Sequence, residues 1–384
     1  MKTRRRNYNN DKKEDRISDL PDGLILHILS SLKVKQTVQT SILSKRWKNL
    51  WKHLPTLTLT SSHFKTLKAF TKFVTPLLSL RNVPTSLHTL KFIYNGTIDP
   101  RLFEKILNYA VSHNVNELQL KGTCDIQQLP SCFFSCNTLT SLRFKVSPKT
   151  LSKRILFPNS LNLPSVTSLY LWLVSFRGGD DPFSGFTKLN SLMLSDFKIL
   201  GEQNLSISST TLDKLEIEMM FLFENYYKIE LSTPNLSTFA FIGTPFHNKL
   251  LPCGSHLCSI KCVYIDTYAD MCMNLEMDSP AILSWLMELT DIESLAISST
   301  TLQVLSLVPD LLKVKLPSLC NLKSLRVKMK RISYSLFKEQ LPTRSKEEFA
   351  KLKESFKKGS SSIPDGIVDF LLQNSPSAEV LIIN

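Results

Sequence analysis

The feature that most constrains the fold is a short apolar pattern that recurs ten times between residues 87 and 329. Each copy has the form apolar-x-x-apolar-x-apolar, as in LTSLRF from Leu139 and LKSLRV from Leu322. The last two apolar positions alternate with other residues, which is typical of a short strand with one buried face. The central apolar residues of the copies are Leu90, Leu118, Leu142, Leu169, Leu192, Leu215, Phe239, Val263, Leu295 and Leu325.

Successive central residues lie 23 to 32 positions apart, mostly within the range of about 20–29 residues of leucine-rich repeats. One copy cannot bury its own apolar side, whereas stacked copies share a continuous core. We therefore predict an α/β solenoid that is curved and irregular and has a parallel inner sheet. The stretch Asp99–Asn114 has helical spacing and predicts one outer helix. Most other connections are rich in Ser, Pro and Asn and predict irregular segments.

Charge and cysteine content limit the partners and the compartment. The net charge of +14 is compatible with nucleic acid, but a solubilising surface that favours acidic partners is the preferred interpretation, and nucleic acid is not expected. No apolar run is long enough to span a bilayer, and the charged N-terminus lacks the apolar segment of a secretory signal, so no membrane partner is expected. Eight cysteines then indicate reduced thiols in the nucleus and/or cytoplasm. The basic stretch at residues 2–6 is either an import patch or a solvated tail.

An intrinsic catalytic or metal site is not expected. The chain has no nucleophile elbow, HExxH motif or phosphate loop, and its seven histidines are scattered. The stretch CGSHLCSIKC contains Cys253, His256, Cys258 and Cys262, but their spacing differs from the paired ligand elements of zinc sites. The sequence therefore predicts no catalytic residue, no metal site, no cofactor and a protein that is not an enzyme.

The segment LPDGLILHILSSLKVKQTVQTSILSKRWKNLW, residues 20–51, carries more apolar surface than three short helices can bury. Pro21 suits a helix start. A broad apolar face follows it, formed by Leu24, Ile25, Ile28, Leu29 and Leu32. Val38 and Ile42 mark a second helix, and Trp47 lies in a third. The segment is either a cap on the first repeat or a docking surface for another protein.

This segment resembles the F-box. The family pattern begins with Leu-Pro, continues with an aliphatic helix and closes near an Arg-x-Trp-like element, which are here LPDGLILHIL and SILSKRWKNLW. The resemblance implies docking onto a small Skp-type adaptor and, through it, onto a cullin–RING ubiquitin ligase, together called an SCF complex. It also implies that nine residues divide between the helix core and the adaptor interface: Leu20, Pro21, Leu24, Ile25, Ile28, Leu29, Val38, Ile42 and Trp47.

The resemblance extends along the chain. An F-box followed by irregular repeats, with phrases such as LPSCFFSCNTLTSLRF, is similar to a large plant family of F-box/leucine-rich-repeat proteins. The part from about Pro317 through IPDGIVDFLLQNSPSAEVLIIN is similar to the C-terminal FBD module of that family, interrupted by a charged helix at Ser345–Lys358. We expect a disordered basic tail at 1–15, the F-box at 16–60, the solenoid at 61–330 and the FBD-like region at 331–384.

The resemblance implies a non-catalytic subunit that recruits an unknown protein target through its repeats for ubiquitination. In an in-register sheet, outward side chains form two rows: Arg143, Tyr170, Met193 and Glu216, then Lys145, Trp172, Ser195 and Glu218. Interfaces favour Tyr, Trp, Met and Arg. The predicted target-binding residues are Arg143, Lys145, Tyr170, Trp172 and Met193. Two alternatives stay open at this point: a receptor for a small anionic ligand such as a hormone or polyphosphate, and a repeat scaffold without ligase attachment.

Overall fold

The computed structural model describes residues 20–81, 87–126, 129, 133, 136–150, 154–159, 161–201, 204–220, 228–243, 250–252, 259–267, 275–289, 291–316, 319–330 and 363–383. Three sequence predictions fall outside these residues. They are the basic tail at 1–15, the charged helix at Ser345–Lys358 and three of the four zinc candidates, Cys253, His256 and Cys258.

Short helices form the first part of the described chain. They are α1 (Asp22–Ser30), α2 (Val34–Gln39) and α3 (Trp47–Leu50), with 3-10 turns at Thr40–Ile42 and Trp51–His53. Pro21 immediately precedes α1 with φ −56° and ψ 147°, because its ring suits the start of a helix but not its interior. Ile42 lies in the 3-10 turn after α2. The three-helix bundle and the curvature of the solenoid stay predictions.

In the described part of the chain a sheet of twelve strands follows, and every neighbouring pair in it is parallel. With the strands numbered along the chain, its order is β1 (Thr56–Thr60), β2 (Thr89–Ile98), β3 (Glu117–Cys124), β4 (Ser141–Ser147), β6 (Ser168–Trp172), β8 (Ser191–Ser195), β11 (Lys214–Met219), β13 (Thr238–Gly243), β15 (Cys262–Thr267), β16 (Ser294–Ser298), β17 (Ser324–Lys328) and β18 (Glu379–Ile383). Sheet order therefore follows chain order, as stacked repeats require.

The strand register is the predicted one. All ten central apolar residues are aligned across neighbouring strands, from Leu90 opposite Leu118 through to Leu295 opposite Leu325. Their side chains face a continuous apolar core and are at most 3% exposed. A slip of one residue would turn this entire set to solvent, so burial determines the register. The repeat prediction is confirmed at the level of strand pairing.

Two small parallel sheets occupy connections that the sequence predicted to be irregular. One contains β5 (Ile155–Leu156), β7 (Val174–Arg177) and β9 (Lys198–Leu200), and the other β10 (Asn204–Ser208), β12 (Lys228–Ser232) and β14 (Leu250–Pro252). A cluster of buried phenylalanines packs around the first: Phe157, Phe176, Phe183, Phe186 and Phe197. Neighbouring connections of equal length can pair with each other, which gives short strands instead of irregular chain.

Helices occupy the longer connections. They are α4 (Leu67–Leu80), α5 (Pro100–Ser112), α6 (Leu275–Glu288) and α7 (Ser299–Leu305), and α8 (Ile367–Leu372) precedes the last strand. Helix α5 is the predicted one, with the Asp99 carboxylate accepting from the backbone N–H of Arg101 at 2.8 Å and Asn114 at φ 51° beyond its end. The prediction of irregular connections was wrong at α6 and α7. Both lie where central residues are 32 and 30 positions apart, which leaves room for a helix.

The end of the chain joins the same sheet. Strand β18 pairs with β17, and Val380 lies opposite Leu325. Helix α8 and strand β18 both lie within IPDGIVDFLLQNSPSAEVLIIN, the stretch that resembles the FBD module. Among the described residues, no helix is both long and apolar enough to cross a membrane.

Candidate interaction surfaces

A small apolar core holds the N-terminal helices together. It consists of Ile25, Leu29, Trp47, Leu50 and Leu54, with Leu20 and Leu26 packed against it. Arg46 closes the cluster from outside: its guanidinium donates to the Asp22 carboxylate at 2.6 and 2.8 Å and to the Leu20 carbonyl at 2.5 Å. The first residues of α1 are thereby fastened to the start of α3.

Other large apolar side chains of these helices are open to solvent. The large apolar side chains exposed there are Leu24, Ile28, Leu32, Ile42 and Leu43. Exposure reaches 53% for Leu24 and 88% for Ile42. We call these five residues the apolar face. The segment thus exposes as many large apolar side chains as it buries in its small core, which is typical of an interaction site and not of a terminal cap.

The nine predicted adaptor residues divide between these two environments. Ile25, Leu29 and Trp47 are buried in the small core, Leu20 and Val38 are half-buried, and Pro21, Leu24, Ile28 and Ile42 are exposed. Sequence alone left this division open, because Leu24 and Ile25 are adjacent, as are Ile28 and Leu29, and both pairs lie on one broad stripe.

The helices are joined to the sheet by apolar contacts and by one buried cation. Val34 and Trp51 belong to the main core of the sheet. Arg81, which is 1% exposed, donates to the Leu54 carbonyl and to the Tyr109 hydroxyl, the latter at 2.9 Å. Burial raises the pKa of Tyr109, although the neighbouring Arg81 acts in the opposite direction. Sequence analysis missed Arg81, which carries no local signal of its role.

On the outward face of the sheet, the first predicted row is aligned in full and the second only in part. Arg143, Tyr170, Met193 and Glu216 lie opposite one another on β4, β6, β8 and β11. Trp172, Ser195 and Glu218 form the next row. Lys145 pairs with Lys121 of β3, whereas the pairing of β4 with β6 ends at Phe144 and Leu171. The two strands diverge there, so Lys145 is not aligned with Trp172 as predicted.

Tyr170 does not project into solvent, which corrects the prediction for this residue. It is 5% exposed, because the Arg143 guanidinium carbon lies 5.4 Å and the Lys145 ammonium 4.7 Å from the ring centre. A cation over an aromatic face is attracted by the ring quadrupole. The ring of Tyr170 therefore holds two cations over its face. Of the other predicted residues, Arg143 is exposed and Lys145, Trp172 and Met193 are partly exposed.

Asp196 fixes the orientation of Trp172 and was missed from sequence. Its carboxylate accepts from the Trp172 indole N–H at 3.2 Å and from the Met220 backbone N–H at 2.7 Å. Its own backbone has φ 50°, a left-handed conformation that Asp tolerates better than most residues. The half-buried indole is thus held in one direction before any partner arrives.

The charged groups at the start of the last strands form a separate cluster at the rim of the sheet. The Glu293 carboxylate lies 2.6 Å from the Lys323 ammonium and 2.9 Å from that of Lys261. Hydrogen bonds from these lysines lower the pKa of Glu293 to about 2, and Glu293 in turn raises the pKa of Lys261. Within the described part of the chain, no cluster of metal-ligating residues occurs. Cys262, the described zinc candidate, is exposed on β15.

Comparison with known proteins agrees with this division into two regions. The F-box domain family matches residues 17–67. An F-box/LRR-repeat protein of Arabidopsis thaliana is 33% identical over 169 residues, which is 42% of this chain and 36% of that relative. An F-box/FBD/LRR-repeat protein of the same plant is 32% identical over 219 residues, or 53% of this chain and 48% of the relative.

A third relative, an Arabidopsis F-box/LRR-repeat protein, is 27% identical over 323 residues, or 76% of this chain and 80% of the relative. In the two alignments of higher identity, the chain spans only about half or less of the relative's length. The F-box match begins one residue after the predicted start of the domain and ends seven residues past its predicted end, at the first residue of α4. This chain therefore carries an N-terminal F-box domain, and its homologues are Arabidopsis F-box/FBD/LRR-repeat proteins at about 30% identity over much of its length.

Proposed function

We propose that this protein is the substrate-recognition subunit of an SCF ubiquitin ligase. The observation that carries the proposal is the apolar face of the F-box domain, which the rest of the described chain leaves uncovered. In this proposal a Skp-type adaptor covers that face and links the protein to a cullin–RING ligase. Transfer of ubiquitin takes place on other subunits, so no residue of this chain has to react.

The energetics of the apolar face support docking. Burying one Leu or Ile side chain contributes roughly 1.5–3 kcal/mol, and interfaces draw most of their energy from a few such central residues. Ile25 and Leu29 are already buried in the small core, so they support the adaptor-binding helix from within. The proposed contact residues are the exposed Pro21, Leu24, Ile28 and Ile42, to which the structure adds Leu32 and Leu43.

The outward face of the sheet is the proposed site for the target protein. Arg143, Lys145, Trp172 and Met193 supply two cations, an oriented indole and a thioether on adjacent strands. The ring of Tyr170 contacts both cations. Holding a target on the same molecule that binds the ligase raises the effective concentration of its lysines near the activated ubiquitin. Function then requires positioning and no catalytic group.

Capture by a purified Skp-type adaptor tests the proposal. Ile28→Asp places a charge within the apolar face, and Leu200→Asp places one at a site on β9 with the same 42% exposure. We expect Ile28→Asp to weaken capture about tenfold or more, since losing 1.4 kcal/mol already has that effect, and Leu200→Asp to bind as the unchanged protein does. Equal capture of both variants, each folded by circular dichroism, would overturn the proposal.

The same experiment tests the alternative of a repeat scaffold, because a scaffold without ligase attachment would not bind the adaptor at all.

The small-ligand receptor is a second candidate with one observation in its favour. Lys121 and Lys145 lie directly opposite each other on β3 and β4, an arrangement that an anion would stabilise. It would be supported if inorganic polyphosphate raised the melting temperature of the wild type but not that of a variant with Lys145→Ala.

A further inference from the structure

The outward face of the sheet has a basic end without acidic partners. Lys121, Arg143 and Lys145 lie on the adjacent strands β3 and β4. Among the described residues none of the three forms an ion pair, and Lys121 faces Lys145 directly across the strands. Like charges placed opposite each other in a sheet destabilise it. The free protein therefore carries a repulsion here that a carboxylate from outside would relieve.

The same face has an acidic end three strands further along. Glu216 and Glu218 project from β11. Lys214 lies 3.7 Å from the Glu216 carboxylate and offsets one of these charges. Glu218 accepts a hydrogen bond at 2.9 Å from the uncharged hydroxyl of Ser195 and forms no ion pair within the described chain. One carboxylate is thus left for a cation from outside.

The two ends are too far apart to neutralise each other. The strands from β4 through β6 and β8 to β11 are consecutive neighbours, and each step across a sheet measures about 4.8 Å, so the ends lie roughly 14 Å apart. Charges on a surface are largely screened beyond about 8 Å at physiological salt. Between the ends lie the half-buried Trp172 and Met193, on the two intervening strands.

We infer that this face binds an extended segment of the target with the pattern acidic-x-apolar-x-basic, crossing the strands. Alternate residues of an extended chain point to one side, and positions i and i+4 are about 13 Å apart, which matches the distance between the two ends. The acidic side chain lies over Arg143 and Lys145, the apolar one against Trp172 and Met193, and the basic one over Glu218. The inference rests on the proposed function and specifies the class of target.

Selectivity follows from repulsion as much as from attraction. A segment with acidic side chains at both ends meets Glu218, and one with basic side chains at both ends meets Lys121, Arg143 and Lys145. Discrimination between partners commonly uses such mismatched charges. Tyr170 keeps the two cations of β4 in place before binding, so fewer side chains have to be ordered on association.

The test uses three fluorescein-labelled peptides with the central sequences Glu-Ser-Leu-Ser-Lys, Glu-Ser-Leu-Ser-Glu and Lys-Ser-Leu-Ser-Lys, and fluorescence polarisation with the full chain. We expect the mixed peptide to bind the wild type at least about fivefold more tightly than the other two, the factor for one exposed ion pair of about 1 kcal/mol. The variant E218K should prefer the doubly acidic peptide, and the double variant R143E/K145E the doubly basic one.

Equal binding of the three peptides, binding of none of them, or preferences that do not change in the two variants would each overturn the inference. Adaptor capture is measured on the same preparations, because none of the substituted residues lies on the apolar face. Retained capture shows that the variants are folded. It also distinguishes failure of this inference from failure of the proposed function. The peptide preference can be absent while the adaptor is still bound, and the adaptor can fail to bind while the preference is present.

Discussion

The F-box helices and the parallel sheet bury their apolar residues in opposite ways. The sheet aligns its central apolar residues in a continuous core, where they are at most 3% exposed. The helices bury five residues in a small core and leave five large apolar ones on the apolar face. A region that is stable by itself minimises exposed apolar area, whereas one that docks retains it. The main core of the sheet is thus covered by the chain itself, although the last strand exposes Val380, Leu381, Ile382 and Ile383, whereas the helices leave five large apolar residues uncovered.

Truncating a side chain that is buried in the main core should therefore act through stability alone, and Trp285→Ala should have the largest effect. Trp285 of α6 is 1% exposed and packs edge-on against Phe241, with ring centres 4.7 Å apart. Replacing a buried Trp by Ala costs about 3–5 kcal/mol, because a cavity remains. Urea denaturation would measure the loss. A loss below about 1 kcal/mol would show that α6 is not part of the common core.

Two isoleucines on α1, one buried and one exposed, test whether buried residues act on stability and exposed ones on adaptor binding. Ile25 is 0% and Ile28 42% exposed, three positions apart on the same helix. Ile25→Ala should cost about 2–4 kcal/mol of unfolding free energy and weaken adaptor capture only through unfolding. Ile28→Ala should change stability by less than about 1 kcal/mol and weaken capture directly. Equal stability losses, measured by thermal denaturation, would contradict the division of these residues.

Much of this arrangement could be predicted because repeats translate sequence spacing into strand order. The alignment of Leu192 with Leu215 follows from the apolar pattern alone, since a shift would expose every copy. The spacing also held unused information. Val263 and Leu295 are 32 positions apart and enclose α6, whereas the pairs 23 or 24 apart enclose no long helix among their described residues. A longer interval between strands could therefore have predicted the helix.

The parts that could not be predicted depend on contacts distant in sequence. The division between Ile25 inside and Leu24 outside is decided by Trp47 and Leu54, which pack on only one side of α1. Tyr170 is covered because the Lys145 ammonium lies over its ring, and the Lys145 side chain takes this position where the pairing of β4 with β6 has ended. The bond from Trp172 to Asp196 joins residues 24 apart. None of these contacts has a local pattern, so only the assembled fold shows them.

Cys124 gives the core of the sheet a pH dependence at alkaline pH. Burial at the end of β3, with Asp125 and Asp99 nearby, raises the pKa of this thiol to about 11 from 9.0. The unfolded thiol loses its proton at lower pH, so this contribution to stability is complete below about pH 9 and disappears as the pH approaches 11. The expected loss is about 2–3 kcal/mol. Urea denaturation at pH 8.5 and at pH 11 gives the loss of unfolding free energy between the two pH values. This loss should be smaller in Cys124→Ala than in the wild type, and equal losses would contradict the prediction.

The smallest effect should come from the charged rim, where the sheet too is exposed to solvent. Glu293 forms ion pairs with Lys261 and Lys323 of the neighbouring repeats. These pairs lower its pKa to about 2. The carboxylate therefore stabilises the fold above about pH 4.5, and this contribution is lost as the pH falls toward 2. Glu293→Gln should lower the melting temperature slightly at pH 7, and 1 M salt should remove the difference by screening. Asp310→Asn breaks a more exposed pair with Lys313 within one turn. It should have no measurable effect, because that pair joins no separate repeats and is screened by solvent. If Glu293→Gln lowers the melting temperature as much in 1 M salt as at low salt, the residue acts through packing, and the rim would then count as part of the main core of the sheet.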